Sequence, residues 1–139
     1  MTALVWILRI VPALILFQTL FFKFTGAPES VALFSQLTES ATGSASLEAP
    51  ARIGVGIVEL IAGILLLIPR TSVWGALLAA ASMAGAILSH LTILGIDIGD
   101  GGILFAMAVI VLAASLALLW LLRGSLPIPA GAHQDSRPA

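Results

Sequence analysis

The chain has 139 residues, of which 60% are hydrophobic and only 9% are charged, and its formal net charge is -1. A soluble domain carries about 25% charged residues, so this composition excludes a soluble enzyme and a disordered chain and indicates an integral membrane protein surrounded by lipid. It also excludes a basic nucleic-acid-binding protein, because binding to phosphate groups needs an excess of positive charge.

Four apolar stretches are long enough to span a bilayer as helices, which takes about 20 residues at 1.5 Å each. They cover approximately residues 3–24, 50–68, 72–94 and 102–122. Pro50 suits the first turn of a helix, where its missing N–H leaves no hydrogen bond unmade. We therefore predict an all-α fold: a four-transmembrane-helix bundle within residues 1–124, followed by a disordered polar tail at 125–139.

The segment between the first two spans has a helical pattern of its own. After Pro28, apolar residues occur at Val31, Leu33, Phe34 and Leu37. This spacing is typical of a short amphipathic helix that lies on the membrane surface. We predict such a helix between spans one and two.

Lys and Arg residues near the span ends predict the orientation of the protein. The side of the two termini holds Arg9, Arg70, Arg123 and Arg137, whereas the other side holds Lys23 and Arg52. We expect a multi-pass protein of the bacterial cytoplasmic (inner) membrane with both termini in the cytoplasm. Arg9 is expected to reach the headgroups of the cytoplasmic side as an anchor.

Glu59 is the most informative residue, because it lies well inside the second span among apolar neighbours. A carboxylate there costs about 2.5–3.5 kcal/mol on insertion scales, so Glu59 must face the bundle and bind a proton or a cation. Arg52, Gly56, Glu59 and Gly63 share one stripe of this helix. The competing interpretation is a buried ion pair that only fixes the register of the helix.

Besides Arg52, three polar residues fall near Glu59 in the outer half of the membrane, namely Lys23, His90 and Gln18. We predict an intramembrane polar site composed of Glu59, Arg52, Lys23, His90 and Gln18. In this site Glu59 approaches at least one of Lys23, Arg52 and His90. Two members also have a simpler interpretation, which is snorkelling for Lys23 and an interface hydrogen bond for His90.

Small residues recur on the predicted spans at spacings that let helices approach closely. The predicted packing residues are Gly56, Gly63, Gly75, Ala79, Gly102 and Ala106. Asp100 precedes the fourth span and suits an N-cap, so we interpret the acidic turn as a helix cap.

The sequence has no cysteine and no tyrosine, and its two histidines, His90 and His133, are far apart. These counts exclude thiol chemistry and cysteine-ligated metal clusters. We expect no catalytic residue, no metal site and no cofactor of the chain's own.

Taken together, these residues resemble the DoxX/DoxD-like membrane proteins over approximately residues 5–122. The matching features are Arg9, the Phe22-Lys23-Phe24 segment with Gly26, the stretch from Arg52 to Leu67, and His90. The resemblance implies a four-helix fold with an intramembrane polar pocket. It also implies an association with membrane redox systems, which include a quinone-reducing thiosulfate enzyme and an oxidative-stress complex. Related four-helix proteins in animals look like receptor-assembly chaperones.

We therefore expect a non-catalytic membrane subunit, an accessory or anchor of a quinone-linked redox complex. Its ligand would be a quinone or a lipid, and its partners would be other membrane subunits or a second copy of the chain. A quinone needs an apolar slot that is open to lipid and a polar side chain that exchanges protons with it. His90 and Glu59 suit the second role. Two alternatives stay open: a membrane chaperone or scaffold for another helical protein, and a small-solute transporter that acts as a dimer.

Overall fold

The computed structural model describes residues 2–125, which form five α-helices joined by short turns. The helices are α1 (Ala3–Thr25), α2 (Pro28–Thr42), α3 (Glu48–Leu67), α4 (Ser72–Ser89) and α5 (Ile103–Leu121). A π-helical turn, His90–Leu94, continues α4, and short 3-10 turns cover Ala45–Leu47 and Arg123–Ser125. The predicted tail lies outside the described residues from position 126 onward.

Four of these helices are long and apolar enough to cross a membrane, so the predicted all-α fold is confirmed. With their flanking turns they cover Ala3–Thr25, Ala45–Leu67, Ser72–Leu94 and Ile103–Leu121. The second span begins earlier than predicted, because α3 already includes Glu48. Pro50 is therefore the third residue of α3, still within the first turn, where backbone N–H groups have no partner inside the helix.

The four long helices form an antiparallel bundle in which α1 and α4 each pack against both α3 and α5. Fully buried side chains in its core include Leu16, Leu66, Val111 and Leu118. Close approach is clearest at Gly75, where an added Cβ would lie 2.5 Å from the backbone nitrogen of Leu66. Only a glycine lets α4 approach α3 so closely at this point.

The other predicted packing residues divide into two groups. Gly56 and Gly63 are buried and leave no room for a Cβ beside the rings of Phe24 and Phe17, respectively, and Ala79 is also fully buried. The prediction for Gly102 and Ala106 is wrong for this bundle. Ala106 is exposed, and Gly102 adopts a φ of 79° in the turn before α5, a backbone conformation that favours glycine.

Two buried arginines hold α1 and α3 together by capping each other's helix. Arg9 of α1 donates from Nε to the carbonyl of Leu66 at 2.7 Å and from Nη2 to that of Leu67 at 2.8 Å. Arg52 of α3 donates from Nη1 to the carbonyl of Lys23, near the end of α1. The last carbonyls of a helix lack intrahelical partners and carry partial negative charge, so both contacts are favourable.

The expectation that Arg9 reaches the headgroups is therefore corrected. Its side chain is fully buried, with the guanidinium stacked 4.2 Å from the ring centre of Trp6. The antiparallel packing brings the unsatisfied carbonyls at the end of α3 within its reach, and these replace water as its partners.

The bundle has two chemically different ends. At one end, the C-termini of α1 and α4 meet the N-termini of α3 and α5, and α2 packs across α3 and the π-helical turn. We call this the cavity end, because a cavity lies between the helices there. The opposite end carries Trp6, Trp74 and Trp120, all of them exposed. Every acidic side chain of the described residues lies in α2, in α3 from Glu48 to Glu59, or in the turn at 97–100. Within residues 2–125, acidic charge is thus confined to the cavity end.

Candidate functional site

A cavity of about 730 Å³ lies inside the bundle at the cavity end. All five helices contribute to its wall, and α2 closes the end with one face, on which Ser30 and Phe34 are buried. Gln36 of α2 donates from Nε2 to the carbonyl of Ile93 at 3.1 Å and ties α2 to the π-helical turn. Most of the wall is apolar. The polar lining residues are Gln18, Thr19, Lys23, Glu29, Ser30, Glu59, Ser82, Ser89, His90 and Asp100.

An ion pair between α1 and α3 forms the polar centre of this wall. Lys23 Nζ lies 2.8 Å from Glu59 Oε2, and the two side chains are 13% and 4% exposed. Thr19 joins them, because its hydroxyl accepts from Lys23 Nζ at 3.1 Å and lies 3.3 Å from Glu59 Oε2. The structure thus brings together Glu59 and Lys23, two of the residues that the sequence places at one depth.

The second carboxylate oxygen of Glu59 is available to a ligand. Both polar contacts of the carboxylate use Oε2, and no described residue donates to Oε1. Among the described residues, Oγ of Ser115 is the only fully buried side-chain polar atom without a hydrogen-bond partner. Oε1 also has no donor, so it must have some accessible surface. Oε1 therefore presents an accepting lone pair on a residue of the cavity wall.

Arg52 does not bind Glu59, although the two share a stripe of α3. Its Nε lies 2.5 Å from Oε1 of Glu48, one turn earlier in the helix, and the pair is largely buried. With its contact to the backbone of Lys23, Arg52 fixes the end of α1 against α3. Arg52 therefore positions Lys23 and does not line the cavity.

His90 reaches the cavity from the end of α4 and is 5% exposed. Its Nδ1 lies 2.8 Å from the carbonyl of Gly95, and its ring packs edge-on against Phe105, with the ring centres 5.7 Å apart. A carbonyl only accepts, so Nδ1 carries the proton, and Nε2 accepts whenever the ring is neutral. The hydrogen bond to Gly95 spans the π-helical turn, a local conformation that often occurs at functional sites.

The cavity is open to the surroundings at its sides. Gln18 lines it from α1 and is exposed, as are Val58 of α3, Gly85 of α4 and Ile103 of α5. These residues lie in the membrane-spanning helices, so the openings face lipid. Gln18 lies beside the entrance and makes no hydrogen bond within the described residues.

The turn before α5 forms the acidic rim of the cavity. Asp100 accepts from the backbone N–H of Leu104 at 2.8 Å and of Gly102 at 2.9 Å. These hydrogen bonds, chiefly that from Leu104, lower the pKa of the Asp100 carboxyl group from its ordinary value of 3.8. Asp100 is thus an ionised side chain that caps α5, but it lies two residues before the N-cap position, which is Gly102 and not the predicted Asp100.

A model of the DoxX-like family matches residues 7–120 of the chain. The chain belongs to the DoxX-like family. Its four apolar helices and this membership establish a multi-pass membrane protein. No curated protein and no solved structure matches the chain significantly.

Three residues in or beside the candidate site are not predicted from the sequence. Thr19 is one of them, although its i, i+4 spacing from Lys23 is a detectable signal. Glu48 was missed because the second span was predicted to start at Pro50, which left the carboxylate in a loop. Glu29 lines the cavity from α2. The connection from span one to span two places α2 at this end of the bundle, but the sequence does not show which face of α2 meets the cavity.

Proposed function

We propose that this DoxX-like chain binds a quinone-type, lipid-soluble molecule in its cavity as a non-catalytic subunit of a membrane redox complex. The observation that carries the proposal is an apolar cavity of about 730 Å³, open to lipid, with the Lys23–Glu59 pair on its wall. Small-molecule sites have volumes of about 300–1,000 Å³, mostly apolar walls and a few placed polar groups.

The residues fit a quinone headgroup in three ways. A ring with an isoprenoid tail needs apolar walls, which Leu33, Phe34 and Met107 supply. In its reduced form the two ring hydroxyl groups need hydrogen-bond acceptors, and Glu59 and His90 lie on different helices of the same cavity. The side openings let the tail remain in the bilayer while the headgroup enters.

The redox chemistry is assigned to a partner subunit. The chain has neither cysteine nor tyrosine, and the described residues contain no group of three potential metal-ligating side chains. The proposed role is therefore to hold the quinone beside a cofactor that another subunit carries. We place the protein in the bacterial inner membrane with both termini in the cytoplasm, a choice supported by Arg70 and Arg123 at the end of the bundle opposite the cavity.

A pair of tryptophan reporters tests quinone binding. The native Trp6, Trp74 and Trp120 are replaced by Phe, and one reporter is introduced as Phe22→Trp, on the cavity wall, or as Phe21→Trp, next to it but outside the wall. Both residues are exposed, so the second reporter measures partitioning into lipid. Folding of each variant is checked by circular dichroism and size-exclusion chromatography.

A short-chain quinone is titrated into nanodiscs that hold each variant. We expect saturable quenching of the Phe22→Trp reporter and only a linear, partition-driven decrease for Phe21→Trp. Equal, non-saturating quenching of both reporters would contradict quinone binding in the cavity. The orientation has its own test, a reporter fused after Ala139, which must be active only in the cytoplasm.

A further inference from the structure

The hydrogen-bonding groups of the cavity are mostly acceptors. Glu59 Oε1 receives no hydrogen bond from a described residue, and Nε2 of a neutral His90 ring accepts because Nδ1 faces the carbonyl of Gly95. The ammonium group of Lys23 already donates to Glu59 and Thr19, which leaves its third N–H and the amide of Gln18 at the entrance among the donors. A ligand that brings hydrogen-bond donors therefore finds more partners here than one that brings only acceptors.

The charge of the cavity wall favours ligands that carry positive charge. The lining includes one cationic side chain, Lys23, and three acidic side chains, Glu29, Glu59 and Asp100. Lys23 and Glu59 neutralise each other, which leaves Glu29 and Asp100 on the wall. Glu29 forms no ion pair with a described residue. Asp100 is held in its charged form by the two N–H groups at the start of α5.

An anionic headgroup would meet this charge without a free cation to balance it. Like charges repel more strongly beside the low-dielectric interior of a membrane protein than in water. Burial of an anion without hydrogen-bond donors adds a desolvation cost. Anionic amphiphiles are thus disfavoured by both charge and hydrogen bonding, and ammonium headgroups are favoured by both. Neutral hydroxyl headgroups are favoured by hydrogen bonding alone.

We infer that the cavity selects lipid-soluble ligands by headgroup, favouring cationic or hydrogen-bond-donating heads and rejecting anionic ones. The inference rests on the proposed function, since it requires that the cavity binds a ligand. Within the quinone series it favours the quinol, whose two hydroxyl groups donate, over the quinone, whose two carbonyl groups only accept. Glu29 then acts as a selectivity residue at the α2 side of the cavity.

Three probes with the same brominated dodecyl tail test this inference. Their heads are an ammonium, a hydroxyl and a sulfonate, and bromine quenches tryptophan at short range. Each probe is titrated against the Phe22→Trp and Phe21→Trp variants in nanodiscs of zwitterionic lipid, and the Phe21→Trp signal corrects for partitioning. We expect the ammonium probe to bind at least about tenfold more tightly than the sulfonate probe, with the hydroxyl probe between them.

Two variants on α2 separate the cavity from general surface charge. Glu29→Gln and Glu39→Gln each remove an exposed carboxylate, but Glu29 lines the cavity and Glu39 of the same helix does not. We expect Glu29→Gln to reduce the ammonium-to-sulfonate affinity ratio by about threefold and Glu39→Gln to leave it unchanged. An equal reduction by both variants would overturn the assignment to Glu29.

The outcomes separate this inference from the proposed function. If no probe quenches the Phe22→Trp reporter saturably, and a quinone does not either, the cavity binds no such ligand and the proposed function fails. If the probes bind but the sulfonate matches or exceeds the ammonium, the cavity is a binding site and the headgroup inference alone is wrong.

Discussion

Removing the carboxylate of Glu59 is expected to destabilise the protein, because it leaves the ammonium group of Lys23 without its counter-ion. At the observed 2.8 Å separation, the attraction amounts to about 6 kcal/mol at an effective dielectric constant near 20. Most of this offsets the desolvation of the two groups, and breaking a buried pair costs about 3–5 kcal/mol. Gln retains an accepting oxygen, so we expect Glu59→Gln to lower the free energy of unfolding by about 3 kcal/mol.

A double-mutant cycle isolates the interaction between the two side chains. Unfolding by sodium dodecyl sulfate in mixed micelles is measured for Lys23→Met, Glu59→Gln and the double variant. The double variant is expected to lose about 2 kcal/mol less than the sum of the single losses, because neither charge is then left unpaired. Glu39→Gln serves as the control and is expected within about 0.5 kcal/mol of the parent. Additive losses would refute a coupled ion pair and indicate that Glu59 is neutral.

Three further variants test contacts that organise the site. Gly75→Ala should lower the free energy of unfolding by about 1–3 kcal/mol through overpacking against α3, whereas Gly54→Ala, where a Cβ would meet open space, should be neutral or stabilising; equal effects would contradict the close contact. Asp100→Ala should cost about 1 kcal/mol at neutral pH. Because the pKa of Asp100 is lowered on folding, this contribution should be complete above about pH 5 and vanish as the pH falls below about 4; a difference that persists in acid would argue against an ionised cap. Arg52→Gln should cost about 2–4 kcal/mol by unfolding titration, since it releases charge-assisted hydrogen bonds of about 1.5–3 kcal/mol each; an unchanged midpoint would show that the arginine does not hold α1.

The elements that the sequence predicts well are those determined by length and polarity. A span needs about 20 apolar residues, so all four spans were located, and a lone carboxylate among them had to face inward. The depth argument placed Lys23 near Glu59 because both positions follow from the helical rise alone. The side chains of Lys23 and Glu59 are long enough to bridge a difference in depth of a few ångströms.

Elements that depend on the packing of neighbouring helices were not predictable in the same way. Arg9 was expected at the headgroups, yet the partner that buries it is the end of α3, 57 residues away along the chain. Arg52 was placed with Glu59, but the earlier start of α3 supplies Glu48 as a local partner. Gly102 resembles a packing glycine in sequence, and only the backbone shows that it is needed for a left-handed turn.

Co-purified quinone, measured against two matched variants of α4, tests the central claim most directly. Ala86 lines the cavity, whereas Ala84 lies on a different face of α4, is exposed and does not line the cavity. The parent protein, Ala86→Phe and Ala84→Phe are purified in mild detergent from cells that make quinones, and the extracted quinone is quantified per mole of folded protein by mass spectrometry. The account predicts near-stoichiometric quinone for the parent and for Ala84→Phe, with at least about a tenfold loss for Ala86→Phe, whose ring projects into the cavity and takes space from the headgroup. Equal quinone in all three preparations, or none in any of them, would contradict it.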